Sequence, residues 1–496
     1  MLLHFRRHPI AISADIRQMY LQIELHPDDW FYQLILWRKD KNGPLLTYAL
    51  ATVAFGIKSS PFHALRTLKK LAQDYGHLFP KAAAIILNAT YMDDIQFGAS
   101  TEEEAKGLID ELIGLLACGG FTMHKWFSSH PQVLSTLPAE KLETPKLKFS
   151  QEGNPWFSVL GIQWDGKGDE FSYEVNFRPH AETKRGILSM IASIYDPNGW
   201  LAPVIFRAKL FMKALFLLKQ PWDAVVPLEM SQRWKEFFTE LQEIRQIRIP
   251  RCLPAPNATH FQLHCFVDAS QKGYGCVLYL RSSPSPNSPA TSVSLIMSKT
   301  RVAPITPVTL PRLELCGALL AETLLRANLH ILHDHYNAAK IHCWTDSTIV
   351  LHWINTPPHE LQTFVANRVA KIRELDHLIT WHHVRSEDNV ADLCSRGIAP
   401  AEIVRNEFWW HGPAWLSKPD SEWPTFSPLP TPNTADLELK KCIAIELVST
   451  AEQATQQPTP EEESHARMEY ALALISKNDS ELSNLQADYE ALMGGS

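Results

Sequence analysis

The chain has 496 residues, is 45% hydrophobic and 20% charged, and carries a formal net charge of -7. This suits two to four ordinary globular domains and argues against a protein devoted wholly to phosphate binding, which would be basic, although a whole-chain sum hides local patches. No apolar run reaches the roughly 18 residues of a membrane span, and Arg6, Arg7 and His8 fall where a signal peptide would be apolar, so a soluble intracellular chain with no membrane partner is expected. The eight cysteines form no C-x-x-C pair, which leaves neither a zinc knuckle nor a disulfide framework and reads them as small reduced core residues.

In chain order, residues 1–165 mix strand-like and helical stretches, and residues 166–255 are largely helical in pattern, with KRGILSMIASIYDP and APVIFRAKLFMKALFLLK as the clearest runs. IPRCLPAPNATH reads as a linker. Residues 256–400 give three strands, a long helix, then alternating strands and helices, with SSPSPNSPATS as a surface hairpin loop. Residues 401–425 are a short extension. Residues 426–496 are rich in Pro, Thr, Gln and Glu, with Arg467 and Lys477 as the only basic residues beyond Thr450, and read as a flexible tail. No internal repeat is present.

Two acidic clusters lie in the first hundred residues. ISADIRQMYLQIEL places Asp15 in an apolar strand-like run, and ATYMDDIQFGAS places Asp93 and Asp94 between two β-favouring runs, a hairpin with carboxylates at its tip. Adjacent carboxylates repel, so a fold that converges them needs a cation. Two hard divalent ions about 4 Å apart would suit phosphoryl transfer. A lone acidic pair is more often a solvated turn. Here the surroundings matter, because YMDD resembles the active-site box of reverse transcriptases and the family's other boxes follow in order. The resemblance implies that Asp15 is the carboxylate of the first palm strand and that Tyr20 is the aromatic gate against a ribose 2′-hydroxyl. VAFGIKSSPFHA, with Phe55 and Gly56, resembles the loop and helix under the incoming nucleotide. FTMHKW presents Lys125 either as proton donor to pyrophosphate or as a solvated lysine, and SVLGIQWD resembles the primer-grip hairpin.

The second constellation begins with FQLHCFVDAS, a strand reaching Asp268, followed by the strands GYGCVLYLR and SVSLIMSKTRV. PRLELCGALLAETLLRANLHIL is a long helix with Pro311 in its first turn and Glu314 near its start. AKIHCWTDS is a strand reaching Asp346, STIVLHWI a helix, LQTFVANRVAKIRELD an amphipathic helix, LITWHHV a strand, and SEDNVADLCSRG a helix carrying Asp392. This order, with FVDAS, TLPRLELCGALL, WTDS and DNVADLCSRG, resembles ribonuclease H, which implies that Asp268, Glu314, Asp346 and Asp392 are its metal-binding carboxylates. His383 is either a strand residue or a catalytic histidine. Arg368, Lys371 and Arg373 either face solvent or contact a hybrid backbone.

KRGILSMIASIYDPNGWLAPVIFRAKLFMKAL, SKTRVAPITPVTLPRLELCGALL, DSTIVLHWI and WWHGPAWL together resemble the Bel/Pao group of LTR retrotransposon Pol polyproteins. No D-T-G or D-S-G triplet is present, so proteolysis is not expected. Family members carry fingers before the first palm carboxylate and an integrase downstream. With Asp15 in that first role, the resemblance implies a truncated or decayed copy, or an incomplete gene model, with impaired polymerase activity. The expected fold is α+β: a truncated reverse-transcriptase palm built on an antiparallel sheet with helices (1–165), a helical thumb/connector (166–255) and a ribonuclease H-like mixed α/β domain (256–400). The implied cofactor is Mg²⁺ or Mn²⁺, two per active site. The implied partners are an RNA template, a DNA primer, RNA–DNA hybrid and deoxynucleoside triphosphates, with oligomeric state open. The alternative is a non-catalytic nucleic-acid-binding relic of a transposon.

Overall fold

The structure is a computed structural model, and it describes residues 1–143, 156–159, 161–174, 182–286, 288, 291–336, 341–424 and 437–439. Its first sheet is antiparallel, in the order Thr90–Tyr91, Asp94–Ala99, Ile10–Ile16, Met123–Ser128. Ile10, Ile12, Ala14 and Ile16 recur at the strand period of two and are buried. They form one core with the inner faces of helices Ser60–Tyr75, Pro80–Asn88 and Glu102–Cys118. The last of these helices starts cleanly: the Thr101 side chain accepts from the Glu104 amide, and Glu102, Glu103 and Glu104 oppose the positive end of the helix dipole. A separate ribbon, Leu34–Trp37 with Leu46–Ala49, is exposed along both strands.

The 166–255 stretch is less helical than its pattern suggests. Its helices are Lys184–Ala192, Ala202–Leu217 and Leu228–Glu240, but Glu170–Ser172 and Ile249–Pro250 are strands. They extend the hairpin Trp156–Val159/Ile162–Asp165 into a four-stranded antiparallel sheet. The presumed linker therefore begins as a strand and continues into the fully buried Arg251, because backbone pairing was invisible in so short an apolar run. In the connector turn YDPNGW, the Asp196 carboxylate accepts from the Trp200 and Leu201 amides and the Tyr173 hydroxyl. Burial nonetheless pushes its pKa up to about 6. Gly199 (φ +72°) follows, and a Cβ there would stand 2.0 Å from the Ser298 carbonyl oxygen, so only glycine lets the connector press against the neighbouring sheet.

That sheet is mixed, in the order Ser292–Val302, Gly273–Ser283, His260–Ser270, Ile341–Thr345, Ile379–His383, with the last two strands parallel to the middle one. Cys265, Val267, Leu278 and Leu280 pack with Leu320, Ala321 and Leu325 of helix Leu310–Tyr336. By length and composition this helix is apolar enough to cross a membrane; here it covers one face of the sheet. The other face, with Phe266, Tyr279 and Trp344, lies under Trp409, Trp415 and Leu416 of the extension. The helix expected over SEDNVADLCSRG is broken into a 3-10 turn, Ser386–Asp388, and a short helix, Asp392–Arg396. Asn389 interrupts it, because its side chain donates to the Val267 carbonyl and to Asp346 rather than leaving the backbone free to continue helically. Most of the expected flexible tail lies outside the described residues. Leu437–Leu439 does not behave as free tail: Leu439 bridges to Leu361, Glu438 pairs with Arg312 at 2.8 Å, and the Leu437 carbonyl accepts from Trp353 Nε1.

The modules are joined by two buried arginines. Arg251 donates to both carboxylate oxygens of Asp169 at 2.6 and 2.7 Å, and to the carbonyls of Phe5, His8 and Pro9. Arg6, 1% exposed, donates to the carbonyls of Pro250, Arg251 and Leu295 and lies over the Trp200 ring. Removing one partner of a buried ion pair strands the other. Asp169→Ala is therefore expected to destabilise the protein by about 3 kcal/mol, read as a lower denaturant midpoint; an unchanged midpoint would show that the pair contributes nothing.

Candidate functional site

Two groups of carboxylates are brought together. In the first sheet Asp15 and Asp94 are directly paired across antiparallel strands, and the Ile16 amide donates to the Asp93 carbonyl at 2.9 Å. Asp93 sits with Met92 (φ +57°) in the two-residue turn joining Thr90–Tyr91 to Asp94–Ala99, and Asp94 is the first residue of the second strand. Burial, then the charges of Asp93 and Asp15, push Asp94 up to about 6. Lys125, on the strand Met123–Ser128, places Nζ 2.6 Å from Asp15 Oδ2. That hydrogen bond raises the lysine's pKa. His124, which no sequence signal had marked, stands 3.5 Å from Asp15 Oδ1. Tyr20 packs on Phe55 with ring centroids 4.9 Å apart. Its pKa is raised, first by burial and then by Asp93. Gly56 (φ +84°) is open, with nothing within 4 Å of an added Cβ.

The second group sits at one rim of the mixed sheet. Asp268 lies near the end of its strand and Asp346 directly after the parallel neighbour, while Glu314 reaches in from the first turns of the long helix. One carboxylate oxygen from each lies within 4.8 Å of those of the other two, and among the described residues this is the one such cluster of three potential metal ligands. Burial and the neighbouring carboxylates push Asp268 up to about 7 and Glu314 up to about 9. Glu314 Oε2 is buried with no hydrogen-bond partner. An unpartnered buried oxygen beside two further carboxylates is what a hard divalent cation satisfies, so the residues fit Mg²⁺ or Mn²⁺. Asp392 does not join this cluster. Its carboxylate is paired with Arg396 one helical turn on.

Three further residues hold the cluster, all from the quoted SEDNVADLCSRG run. Ser395 Oγ donates to Asp268 Oδ2, Ser386 Oγ to Asp346 Oδ2 at 2.7 Å, and Asn389 Nδ2 to Asp346 Oδ1 at 3.2 Å. Small polar residues are too common for sequence to single these out. His383 ends the outer parallel strand. Arg368 lies over the Phe364 ring at 3.5 Å, and Arg373 pairs with Asp376 at 3.0 Å.

Residues 183–347 match the family described as Pao retrotransposon-like RNaseH-like domain. No curated protein matches the chain. Among solved structures, a foamy viral protease-reverse transcriptase dRH in complex with double-stranded DNA is similar, with 13% identity and a TM-score of 0.49, covering 78% of this chain and 58% of that one. A foamy viral protease-reverse transcriptase in complex with RNA/DNA hybrid has 12% identity and a TM-score of 0.46, covering 78% and 45%. The chain thus spans about half the length of these proteins.

The raised carboxylates set a pH dependence. Between about pH 4, where an unfolded carboxyl releases its proton, and about 7 for Asp268 or 9 for Glu314, the folded protein holds protons that the unfolded chain has lost. Stability therefore falls as pH rises through this window. With chelator present, Glu314→Gln should gain melting temperature relative to the parent between pH 5 and 9, and Mg²⁺ should restore the parent more at pH 8 than at pH 5. Parallel pH profiles for parent and variant would contradict the shift.

Proposed function

From the match of residues 183–347 to the Pao retrotransposon-like RNaseH-like domain we propose that the chain is a ribonuclease H, cutting the RNA strand of an RNA–DNA hybrid at Asp268, Glu314 and Asp346. The observation that carries this reading is the convergence of the three carboxylates around the unpartnered Glu314 Oε2. Bound there, Mg²⁺ or Mn²⁺ would supply the positive charge that activates water and stabilises a leaving 3′-oxygen. The protein's own part is positional. Ser395, Ser386 and Asn389 orient Asp268 and Asp346, and backbone strands fix the spacing of both, so little reorganisation is left to the reaction. Asp392, held by Arg396, is the natural fourth ligand once that pair opens. The substrate would be recognised by helical shape and 2′-hydroxyls rather than by base sequence.

The first sheet supports a second nucleotidyl-transfer reading, because Asp15 and Asp94 face each other beside Asp93 and the Tyr20–Phe55 ring pair. Asp15 Oδ2 is held by Lys125, an internal cation where a metal would have to bind. This reading assigns RNA-templated DNA synthesis to Asp15, Asp93 and Asp94, with deoxynucleoside triphosphates under Tyr20 and Gly56.

Offered labelled hybrid, duplex RNA and duplex DNA with Mg²⁺ or Mn²⁺, the protein is expected to cut the hybrid alone. Asp346→Asn should reduce the rate at least about 100-fold, as losing a metal clamp does, and chelation should abolish cleavage. Folded protein that binds hybrid and leaves it uncut with both metals would instead be a non-catalytic nucleic-acid binder. Primer extension on an RNA template is expected to be weak while Lys125 holds Asp15, and to vanish on Asp93→Asn. Extension indifferent to Asp93→Asn would remove the polymerase assignment.

A further inference from the structure

A groove of about 570 Å³ runs between helices Ala202–Leu217 and Leu228–Glu240 of the connector and the rim of the mixed sheet. Four cations from four separate elements line it: Arg207, Arg233, Lys272 and Arg396, all exposed. Two carboxylates, Glu236 and Glu240, stand against them. In a chain with a net charge of -7, this is a local reversal of sign. No ion pair among the described residues engages Arg207, Arg233 or Lys272.

The groove adjoins the carboxylate cluster through a continuous set of contacts. The Lys272 amide donates to Ser270 Oγ at 3.1 Å, Ser270 Oγ donates to the Ser395 carbonyl at 2.7 Å, and Ser395 Oγ donates to Asp268. Arg396 is paired with Asp392. Gly397 (φ +77°) lies directly under Arg207, where a Cβ would stand 2.7 Å from Arg207 Cγ, so the stem of that arginine is fixed across the end of the helix carrying Asp392. Arg207, Arg233 and Lys272, which make no ion pair among the described residues, outnumber Glu236 and Glu240 in the groove, and such a surplus of unpaired cations suits a polyanion.

We propose that this groove is the track for the sugar–phosphate backbone of the nucleic-acid duplex whose strand enters the Asp268–Glu314–Asp346 cluster, with Arg207 and Arg233 as positioning residues supplied by the connector. The inference rests on the nuclease reading for the direction of the duplex, and on the groove's own charges for its binding. It gives the connector helices a role in substrate placement beyond joining two modules.

The test uses the full chain carrying Asp346→Asn, so that substrate survives, and fluorescence anisotropy with a labelled RNA–DNA hybrid over a salt series. Arg207→Glu/Arg233→Glu is expected to weaken binding about 10-fold or more at 0.1 M salt and to reduce the slope of log K against log salt by roughly 2, one phosphate contact per arginine lost. Glu236→Gln/Glu240→Gln is expected to tighten binding. Both pairs are exposed, so unchanged melting temperatures confirm intact folding. A folded arginine variant with the parent's affinity and salt slope overturns the proposal. In chains with Asp346 restored, normal cleavage with unchanged KM by the arginine variant likewise overturns it while leaving the nuclease reading intact. An uncut hybrid whose binding still depends on Arg207 and Arg233 supports the track and removes the nuclease.

Discussion

A guanidinium buried from water must find acceptors for all its N–H groups and an answering charge, and the way Arg251 meets that requirement sets how the modules sit. Its carboxylate comes from Asp169 in the turn before strand Glu170–Ser172, and its carbonyls from residues 5–9, just ahead of strand Ile10–Ile16. Arg6 returns the arrangement, reaching the carbonyls of Pro250 and Arg251 and that of Leu295 on the edge strand of the mixed sheet. Four segments distant in sequence are thereby held by directional bonds rather than by apolar contact alone. Burial pulls the Arg6 pKa down to about 9, and its hydrogen bonds among the described residues all go to carbonyls. Its charge is tolerated because carbonyl dipoles and the Trp200 ring replace water.

The two carboxylate groups answer the same repulsion differently. In the first sheet Asp15 is neutralised from within, by Lys125 at 2.6 Å, and Asp94 is left with a raised pKa of about 6. At the rim of the mixed sheet no lysine among the described residues pairs with Asp268, Glu314 or Asp346. Burial first, and the neighbouring carboxylates second, push Asp268 and Glu314 to about 7 and 9, and one buried oxygen of Glu314 lacks any hydrogen-bond partner. Like charges forced together raise each other's pKa unless a cation enters, so the second site is poised for a cation in a way that the first is not while Lys125 stays in place. Arg396 plays for Asp392 the part that Lys125 plays for Asp15.

The connector helices are more than a spacer. Gly199 lets the connector approach the mixed sheet to backbone distance, and Gly397 lets helix Ala202–Leu217 approach the end of the helix carrying Asp392; the same packing brings Arg207 and Arg233 into one groove with Lys272 and Arg396. Close packing of an element against a neighbouring rim places whatever charges that element carries, so the connector's side chains help to set the charge of the groove they share with Lys272 and Arg396.

The amino-acid sequence by itself determined the elements whose periodicity is long and whose punctuation is strong. The strand reaching Asp268, the long helix with Glu314 in its first turns and the strand before Asp346 were legible from apolar runs and from Pro311, and so was the hairpin carrying Asp93. The grouping of Asp268, Glu314 and Asp346 was implied by the resemblance of that order of elements to ribonuclease H, together with Asp392, which the structure instead holds against Arg396. Only the tertiary structure decided the rest. Glu170–Ser172 and Ile249–Pro250 are strands because a partner lies beside them, and three apolar residues in isolation carry no period. Asn389 breaks a helix because Asp346 and the Val267 carbonyl, both far off in sequence, compete for its side chain. Lys125 pairs with Asp15, 110 residues away, because folding brings the two charges within 3 Å. Local pattern encodes what a segment can become; which charge neutralises which is a property of distances that exist only once the chain has folded.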